Sequence, residues 1–357
     1  MKVDLGQLAK IKSLPGPILI TGHTGFKGSW LCLLMEKLGI EIVGYSLTPE
    51  KDSLYEKINR KVVSREKFAD ILDLYELEKF FSETRPSAVI HMAAQSLVLR
   101  SYEQPLLTYQ VNALGTANIL DAAFKCPSVE TIVAVTTDKV YRNENKGKKF
   151  TESDPLEGHD PYSASKVAAE SAIRIWRKLS QVNDGPRITS VRAGNVIGGG
   201  DWSDNRLIPD LIRGFVSNSV VQVRNPQSTR PWQHVLDPLY GYLLTLEAQL
   251  NGLDIEALNF GPTEESMTVN EVIEIAQKVW PNPTKIDCFA SEGSKEAKYL
   301  GLNPSKAMEI LNWQPYWNQR QAVVSTIQWW EKVMLANKTE MEACRADIEL
   351  FLTKDRN

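Results

Sequence analysis

Cysteine is scarce in this 357-residue chain, and its four copies, Cys32, Cys126, Cys288 and Cys344, stand far apart, with no Cys-x-x-Cys and no histidine at ligand spacing. That scarcity argues against a disulfide framework and against a zinc site, and the thiols read as reduced and mostly buried. An excess of basic charge is also missing. Forty-one Lys+Arg face 44 Asp+Glu for a net charge of -3, so no global positive field holds nucleic acid or an anionic membrane. Nowhere is there a run of ~18 or more apolar residues to span a bilayer, and Met1–Lys10 lacks the apolar stretch of a secretion signal. The expectation is a soluble, cytoplasmic chain with neither a nucleic-acid nor a membrane partner.

What is present is ordinary globular composition, 43% hydrophobic and 24% charged, in a chain long enough for two domains or one large domain with an appended lobe. The first half alternates short apolar runs with helix-period segments, the signature of an α/β, doubly wound, mostly parallel sheet. Strands are expected at Pro17–Thr21, Ile40–Ser46, Ala88–Met92, Thr131–Thr136 and Ile188–Arg192, and a helix at Ser29–Leu38 ended by Gly39. From about Gly198 the alternation weakens, which predicts a smaller C-terminal α/β lobe facing the substrate. We place the boundary at 195/196, with some elements of 196–357 returning to the first domain and a charged surface helix or frayed tail from about 337.

Gly22-His23-Thr24-Gly25-Phe26-Lys27-Gly28 follows the first strand and opens a helix. Glycines there allow a tight turn and close backbone approach, and a helix N-terminus offers free N–H groups to a pyrophosphate, so the loop reads as a dinucleotide site. The end of the second strand carries Tyr45-Ser46-Leu47, with no carboxylate for an adenosine ribose, which leaves NAD against NADP open. Asp70, before Ile71, is placed either to accept from an adenine amine or to be a solvated loop aspartate.

Tyr162 and Lys166 sit one turn apart on a helical stretch that begins at Asp160-Pro161. An ammonium beside a phenol stabilises phenolate, so the tyrosine can take a hydroxyl proton while hydride leaves the same carbon. Upstream, Thr137-Asp138-Lys139 follows the expected central strand, where open α/β sheets place their ligands. A simple dehydrogenase needs one hydroxyl donor here; an added acid and base suggest chemistry beyond hydride transfer.

Gly22-x-x-Gly25-x-x-Gly28, His91-Met92-Ala93-Ala94, Tyr162-x-x-x-Lys166 and Arg192-Ala193-Gly194-Asn195-Val196 resemble the extended short-chain dehydrogenase/reductase superfamily of nucleotide-sugar enzymes, built on a Rossmann-type sheet. Thr21–Trp30, Thr137-Asp138-Lys139, Ala193–Trp202, Arg224-Asn225-Pro226 and Arg230–Val235 are similar to its 4,6-dehydratase branch that takes CDP-glucose. The resemblance, from about Pro17 to about Trp330, implies a redox-neutral dehydration with bound NAD. Tyr162 deprotonates the C4 hydroxyl as hydride passes to NAD, Asp138 helps the C6 hydroxide leave as water, and the hydride returns to C6. The product is CDP-4-keto-6-deoxyglucose, a precursor of deoxysugars such as those of lipopolysaccharide. Where the dTDP-glucose branch has a glutamate base for C5, this chain has Lys139. An ammonium cannot accept a proton, so a base role requires the neutral amine; the alternative is that Lys139 only stabilises the enolate.

The same resemblance assigns Gly22 to Gly28, Ser46, Asp70, Ile71, Ala93, Ala94, Asn112, Tyr162 and Lys166 to the cofactor. It assigns Ser96, Asn195, Arg206, Arg224, Arg230, Gln233 and His234 to the substrate, the arginines pairing with its diphosphate, and holds Arg100 near one or the other. No metal is implied. Small residues at Ala164, Ala168 and Ala172 permit close helix packing, consistent with a homodimer or homotetramer or with ordinary core packing. A UDP-sugar 4,6-dehydratase, a 4-epimerase, which would not need Asp138 and Lys139 together, and a nucleotide-binding protein without activity are the competing readings.

Overall fold

The computed structural model describes residues 5–58, 62–289 and 297–353. Seven parallel strands form the main sheet: β1 (Ile18–Thr21), β2 (Ile42–Ser46), β3 (Arg65–Phe68), β4 (Ala88–His91), β5 (Thr131–Val135), β6 (Arg187–Ala193) and β11 (Ala257–Phe260), in the order β11-β6-β5-β4-β1-β2-β3. Six are buried along nearly their whole length, as strands with helices on both faces must be; β3, with its Arg-Glu-Lys run, is a solvated edge.

Alternation along each strand divides the core in two. Ile18, Ile20, Ile90, Val133 and Val191 face one cluster with the helices Phe26–Leu38 and Leu236–Leu250. Leu19, Val89, Ile132, Ala134 and Ile188 face the other, with Phe80 and Phe81 of helix Leu74–Thr84, Ile119 and Leu120 of helix Gly115–Phe124, and Ile173 of helix Pro161–Val182. After β3 the chain crosses back to β4 beside β1, so the strand order reverses between β1 and β4. In such sheets ligands bind outside the carboxyl ends of the strands at that point.

The second half supplies three short pairs: β7 (Val196–Ile197) with β10 (Gln233–His234), β8 (Val221–Arg224) with β13 (Ile286–Phe289), and β9 (Thr229–Arg230) with β12 (Met267–Thr268). It also gives β11, in register Ala257↔Ser190 to Phe260↔Ala193, and the buried helix Leu236–Leu250 to the main sheet.

Three expectations change. The first helix begins at Phe26 rather than Ser29, because the turn closes at Gly25 and leaves Phe26 and Lys27 inside the first helical turn. Of the two readings for the segment from about 337 the helix holds, but it is docked rather than lying on the surface: Glu340–Thr353 buries Ala343, Cys344, Ile348 and Phe351, an apolar stripe at helical spacing, together with Asp347. Residues 354–357 lie outside the described residues, as do Met1–Asp4. Finally, Cys32 and Cys344 are buried, but Cys126 is half-buried and Cys288 exposed; all four are free. No helix among the described residues is long and apolar enough to cross a membrane.

Candidate active site

The loop after β1 is fixed by close backbone contact. Gly22 has φ +73°, and a Cβ there would stand 2.8 Å from Ala93, while one on Gly28 would stand 2.2 Å from the Gly22 carbonyl; no larger residue fits either place. Gly25 is the N-cap of helix Phe26–Leu38, and no side chain caps its first turn, which leaves the first-turn N–H groups to an anion. Beside it, Thr24 Oγ1 and Ser46 Oγ, at the end of β2, are 2.7 Å apart, and Thr24 Oγ1 also donates to the Leu47 carbonyl. Past β3, Asp70 turns its Oδ1 onto the Leu72 N–H, Tyr45 Oη donates to its carbonyl, and Ile71 is buried.

Two elements carry the reactive groups. Thr137 opens a single helical turn over Asp138–Val140 at the tip of β5; its Oγ1 donates to Asp138 Oδ1 at 3.0 Å and accepts from the Lys139 N–H. Asp138 is 2% exposed and its Oδ2 has no hydrogen-bond partner. Burial raises its carboxyl above the usual range, against the Lys139 and Arg230 charges and the Thr137 hydrogen bond. Gly194 lets this oxygen approach: a Cβ there would stand 3.2 Å from Asp138 Oδ2 and 2.4 Å from Pro231. Lys139 is half-buried.

The second element is helix Pro161–Val182, started by Pro161 and by a capping box between Asp160 and Ser163. Tyr162 and Lys166 are both buried on its inner face. Burial pushes the Tyr162 phenol up to about 12, opposed by its hydrogen bond with Thr137. Here the structure departs from the expectation that lysine lowers the phenol: Lys166 Nζ donates to the Val135 carbonyl at 3.3 Å, and its charge does not offset the burial of the ring. Burial lowers Lys166 itself to about 8, with Glu170 opposing. Lys27, in the first turn of the loop helix, reaches the same region. Its Nζ donates to Tyr242 Oη at 2.9 Å; burial, then the Lys166 and Arg206 charges, bring it down to about 7.

Of the expected substrate contacts, Arg230 is buried with its charge acting on Asp138, and its Nη1 donates to the Thr229 carbonyl. Arg206 pairs with Asp201 at 2.8 Å and donates to Ser96 Oγ. Asn195, half-buried, accepts the Gln233 N–H on its carbonyl. Gln233 Nε2 donates to the Phe260 carbonyl and its Oε1 is unpartnered. Arg224 and Arg100 are exposed.

Three expected residues turn their side chains elsewhere. His234 packs between Trp30 and Trp317, away from the reaction turn, because its strand is buried on that face. His23 lies over Gly44, Tyr55 and Phe68 and contacts Glu66; burial lowers it, so the imidazole is a neutral core group and only its backbone belongs to the loop. Asn112 spends its amide on the Gln95 backbone and Ser165 Oγ, bracing the segment after β4 against the Tyr162 helix.

Sequence reading missed Glu170 and Tyr242. Glu170 falls one turn past Lys166 and two past Tyr162, a spacing that could have found it. Tyr242 has no local signal, since it meets Lys27 across 215 residues.

The uncapped helix N-terminus stands where the strand order reverses, the place at which open parallel sheets hold a dinucleotide, and the Tyr–Lys helix lies beside it. The chain belongs to the NAD dependent epimerase/dehydratase family, whose model matches residues 18–261. Within that family it is 38% identical over 339 residues to the CDP-glucose 4,6-dehydratase of Salmonella typhimurium, covering 91% of this chain and 94% of that one. The fold is shared with the NAD complex of Thermus thermophilus UDP-glucose 4-epimerase (TM-score 0.77, 24% identity, 88% of this chain and 99% of that one). It is shared also with the NAD complex of Bacillus anthracis dTDP-glucose 4,6-dehydratase (TM-score 0.75, 24% identity, 89% and 97%).

Proposed function

We propose that this chain is an NAD-dependent hydro-lyase that converts CDP-glucose to CDP-4-keto-6-deoxyglucose. The observation that carries this reading over an epimerase is the buried Asp138 carboxyl, held up toward its protonated form with one oxygen unpartnered, on the turn that also presents Thr137 and Lys139. An epimerase inverts C4 with hydride transfer alone and has no use for a buried acid at C6. Similarity to the Salmonella enzyme supports the cytidine nucleotide.

The residues present fit NAD. The uncapped first turn after Gly25 would hold the pyrophosphate, Gly22 with Ala93 and Ala94 would leave room for its approach, Thr24 and Ser46 would take the adenosine ribose, and Asp70 with Ile71 the adenine. Bound there, NAD would supply a hydride acceptor for C4 and the hydride donor for C6. Tyr162, hydrogen-bonded with Thr137, takes the C4 hydroxyl proton as the phenolate, a form that burial of the ring disfavours and that Lys166 one turn away and the positive nicotinamide of bound NAD would favour. Asp138 gives its proton to the departing C6 hydroxyl. Lys139, in its neutral amine form, removes the C5 proton, which the new C4 carbonyl acidifies, and later restores it. Arg230, with Arg206 and Arg224 toward the rim, anchors the diphosphate, and Asn195, Ser96 and Gln233 border the sugar.

We further read the chain as a homodimer or homotetramer of the cytoplasm. Free thiols at all four cysteines support a reducing compartment. Ala172 packs against the core, whereas Ala164 is exposed and Ala168 half-buried on the Tyr162 helix, with exposed Ile175 and Leu179 further along it and exposed Leu106, Tyr109 and Leu114 on the segment packed beside it; these exposed apolar residues support a subunit contact there.

The test is mass-resolved turnover of CDP-, dTDP-, UDP- and GDP-glucose in deuterated water with catalytic NAD. Loss of water from CDP-glucose alone, with one deuterium at C5, is the expected result. A C4-inverted sugar that keeps its water makes the chain an epimerase.

A further inference from the structure

Beneath the reaction site lies a closed polar network. Glu170 is 4% exposed and its carboxylate accepts four hydrogen bonds: from Thr136 Oγ1 at 2.6 Å, Ser190 Oγ at 2.6 Å, Arg192 Nε at 2.7 Å and Arg192 Nη2 at 2.8 Å. Arg192, 3% exposed, also donates through Nη1 to Tyr141 Oη at 2.8 Å and lies over the Tyr141 ring. Tyr141 Oη donates in turn to Asn259 Oδ1 on β11. A buried bidentate pair with its lone pairs satisfied is held in one geometry.

What this pair touches is specific. Thr136 immediately precedes Thr137-Asp138-Lys139, and Tyr141 closes the same turn. Both ends of the reactive turn are therefore tied to one ion pair, Thr136 through Glu170 and Tyr141 through Arg192. Glu170 itself stands on the helix of Tyr162 and Lys166, so the pair sets where that helix lies against the turn. The groups acting on the Lys166 amine are Glu170 on its own helix, Lys27 from the loop helix, neutral His91 from β4 and the Val135 carbonyl from β5. Of these only Glu170 carries negative charge.

We propose that Glu170 is a positioning residue of the reaction: with Arg192 it fixes the Thr137–Lys139 turn against the Tyr162 helix, and it supplies the negative charge that holds the proton on Lys166. The role in turnover rests on the dehydratase reading; the effect on Lys166 does not.

The test compares the full chain with Glu170→Gln, Glu170→Asp and the double variant Glu170→Gln/Arg192→Met, which leaves no unpaired buried charge if the single variant fails to fold. Lys166 is titrated directly by NMR of 13C-lysine-labelled protein, its signal assigned with Lys166→Arg, and kcat for CDP-glucose is followed against pH. The expected result is a Lys166 titration near pH 8 in the parent and about one pH unit lower in Glu170→Gln, a tenfold loss of proton affinity. The alkaline limb of kcat moves by the same amount. With it kcat falls about 100-fold, as for a misplaced catalytic group, KM staying within about twofold because none of the network's hydrogen bonds goes to a substrate arginine; Glu170→Asp recovers most of the loss. A folded double variant whose Lys166 titration and alkaline limb match the parent overturns the proposal. If the parent does not turn over CDP-glucose, the dehydratase reading fails while the NMR titration still decides the Glu170–Lys166 coupling.

Discussion

Lys27 Nζ donates to Tyr242 Oη at 2.9 Å, which turns an ammonium from the dinucleotide loop inward, toward the same charges that surround Lys166 and Asp138. Burial first, then those neighbouring cations, brings the amine down to about 7 from an ordinary value of 10.5. Below pH 7 the amine is charged in folded and unfolded chains alike, and the folded chain bears the whole cost. As pH rises from 7 toward 10.5 the folded chain sheds this proton first and the cost declines. Lys27→Met is therefore expected to raise the melting temperature by about 2–4 °C at pH 6 and by less at pH 9. Equal gains at both pH values would mean that the amine is not enclosed.

Asp138 carries the opposite sign. Burial lifts its carboxyl, so the ionised form is the costly one; the cost is absent in acid, grows as pH rises from the ordinary carboxylate value to the raised one, and is complete above it. Asp138→Asn is expected to stabilise the chain more at pH 8 than at pH 4. Its effect on chemistry is a loss of about 10²–10⁴ in dehydration, while C4 oxidation survives. Mass spectrometry then finds a sugar two mass units lighter that has kept its water. Parent-like water loss from Asp138→Asn removes Asp138 from the acid role.

The C-terminal helix has a titrating contact of its own. Asp347 is buried with Oδ1 3.7 Å from Lys332 Nζ and Oδ2 3.9 Å from His234 Nε2, and burial, partly offset by Lys332, raises it to about 6. Burial takes His234 down to about 3, so the imidazole is neutral and returns no charge. The ionised Asp347 costs stability increasingly between about pH 4 and 6, and fully above. Asp347→Asn is expected to raise the melting temperature by about 2–4 °C at pH 8, to change little at pH 4, and to leave kcat for CDP-glucose unaltered. Thermal scans at the two pH values check the sign.

Legibility of these groups in the sequence follows the range of the contact that fixes them. The strand runs before Gly22 and Thr136 are bounded by turn residues, and the period of alternation alone divides Ile18 and Ile20 from Leu19, so the sheet could be read locally. Tyr162 and Lys166 were legible because one helix holds both. The return of β11 to β6 was not, since it depends on a pairing across the whole second half. The segment from about 337 was read only as a surface helix or a tail because its charged residues masked the Ala343, Cys344, Ile348 and Phe351 stripe that docks it. His23 and His234 were assigned by motif position, which fixes the backbone; the side-chain direction was decided by Gly44 in one case and by Trp30 and Trp317 in the other. The elevation of Tyr162 was invisible for a similar reason, because burial depends on everything that covers the ring.

The proposed elimination step assigns its base to Lys139. This lysine stands on the same short turn as Asp138, one residue on, half-buried, with its charge acting on that carboxyl. If its neutral amine takes the C5 proton, Lys139→Met abolishes deuterium entry at C5 and lowers dehydration by about 10²–10⁴, whereas Lys139→Glu, a carboxylate on the same turn, keeps both events at reduced rate. If Lys139 only stabilises the enolate through positive charge, the order inverts at the first step: Met retains slow exchange at C5, and Glu, which places negative charge beside the enolate, is worse than Met. The measurement is deuterium at C5 in CDP-glucose products recovered from deuterated water, read by mass for both variants against the parent. Because C4 oxidation precedes the elimination and belongs to Tyr162, both variants are expected to retain it, and its retention separates a lost base from a collapsed site.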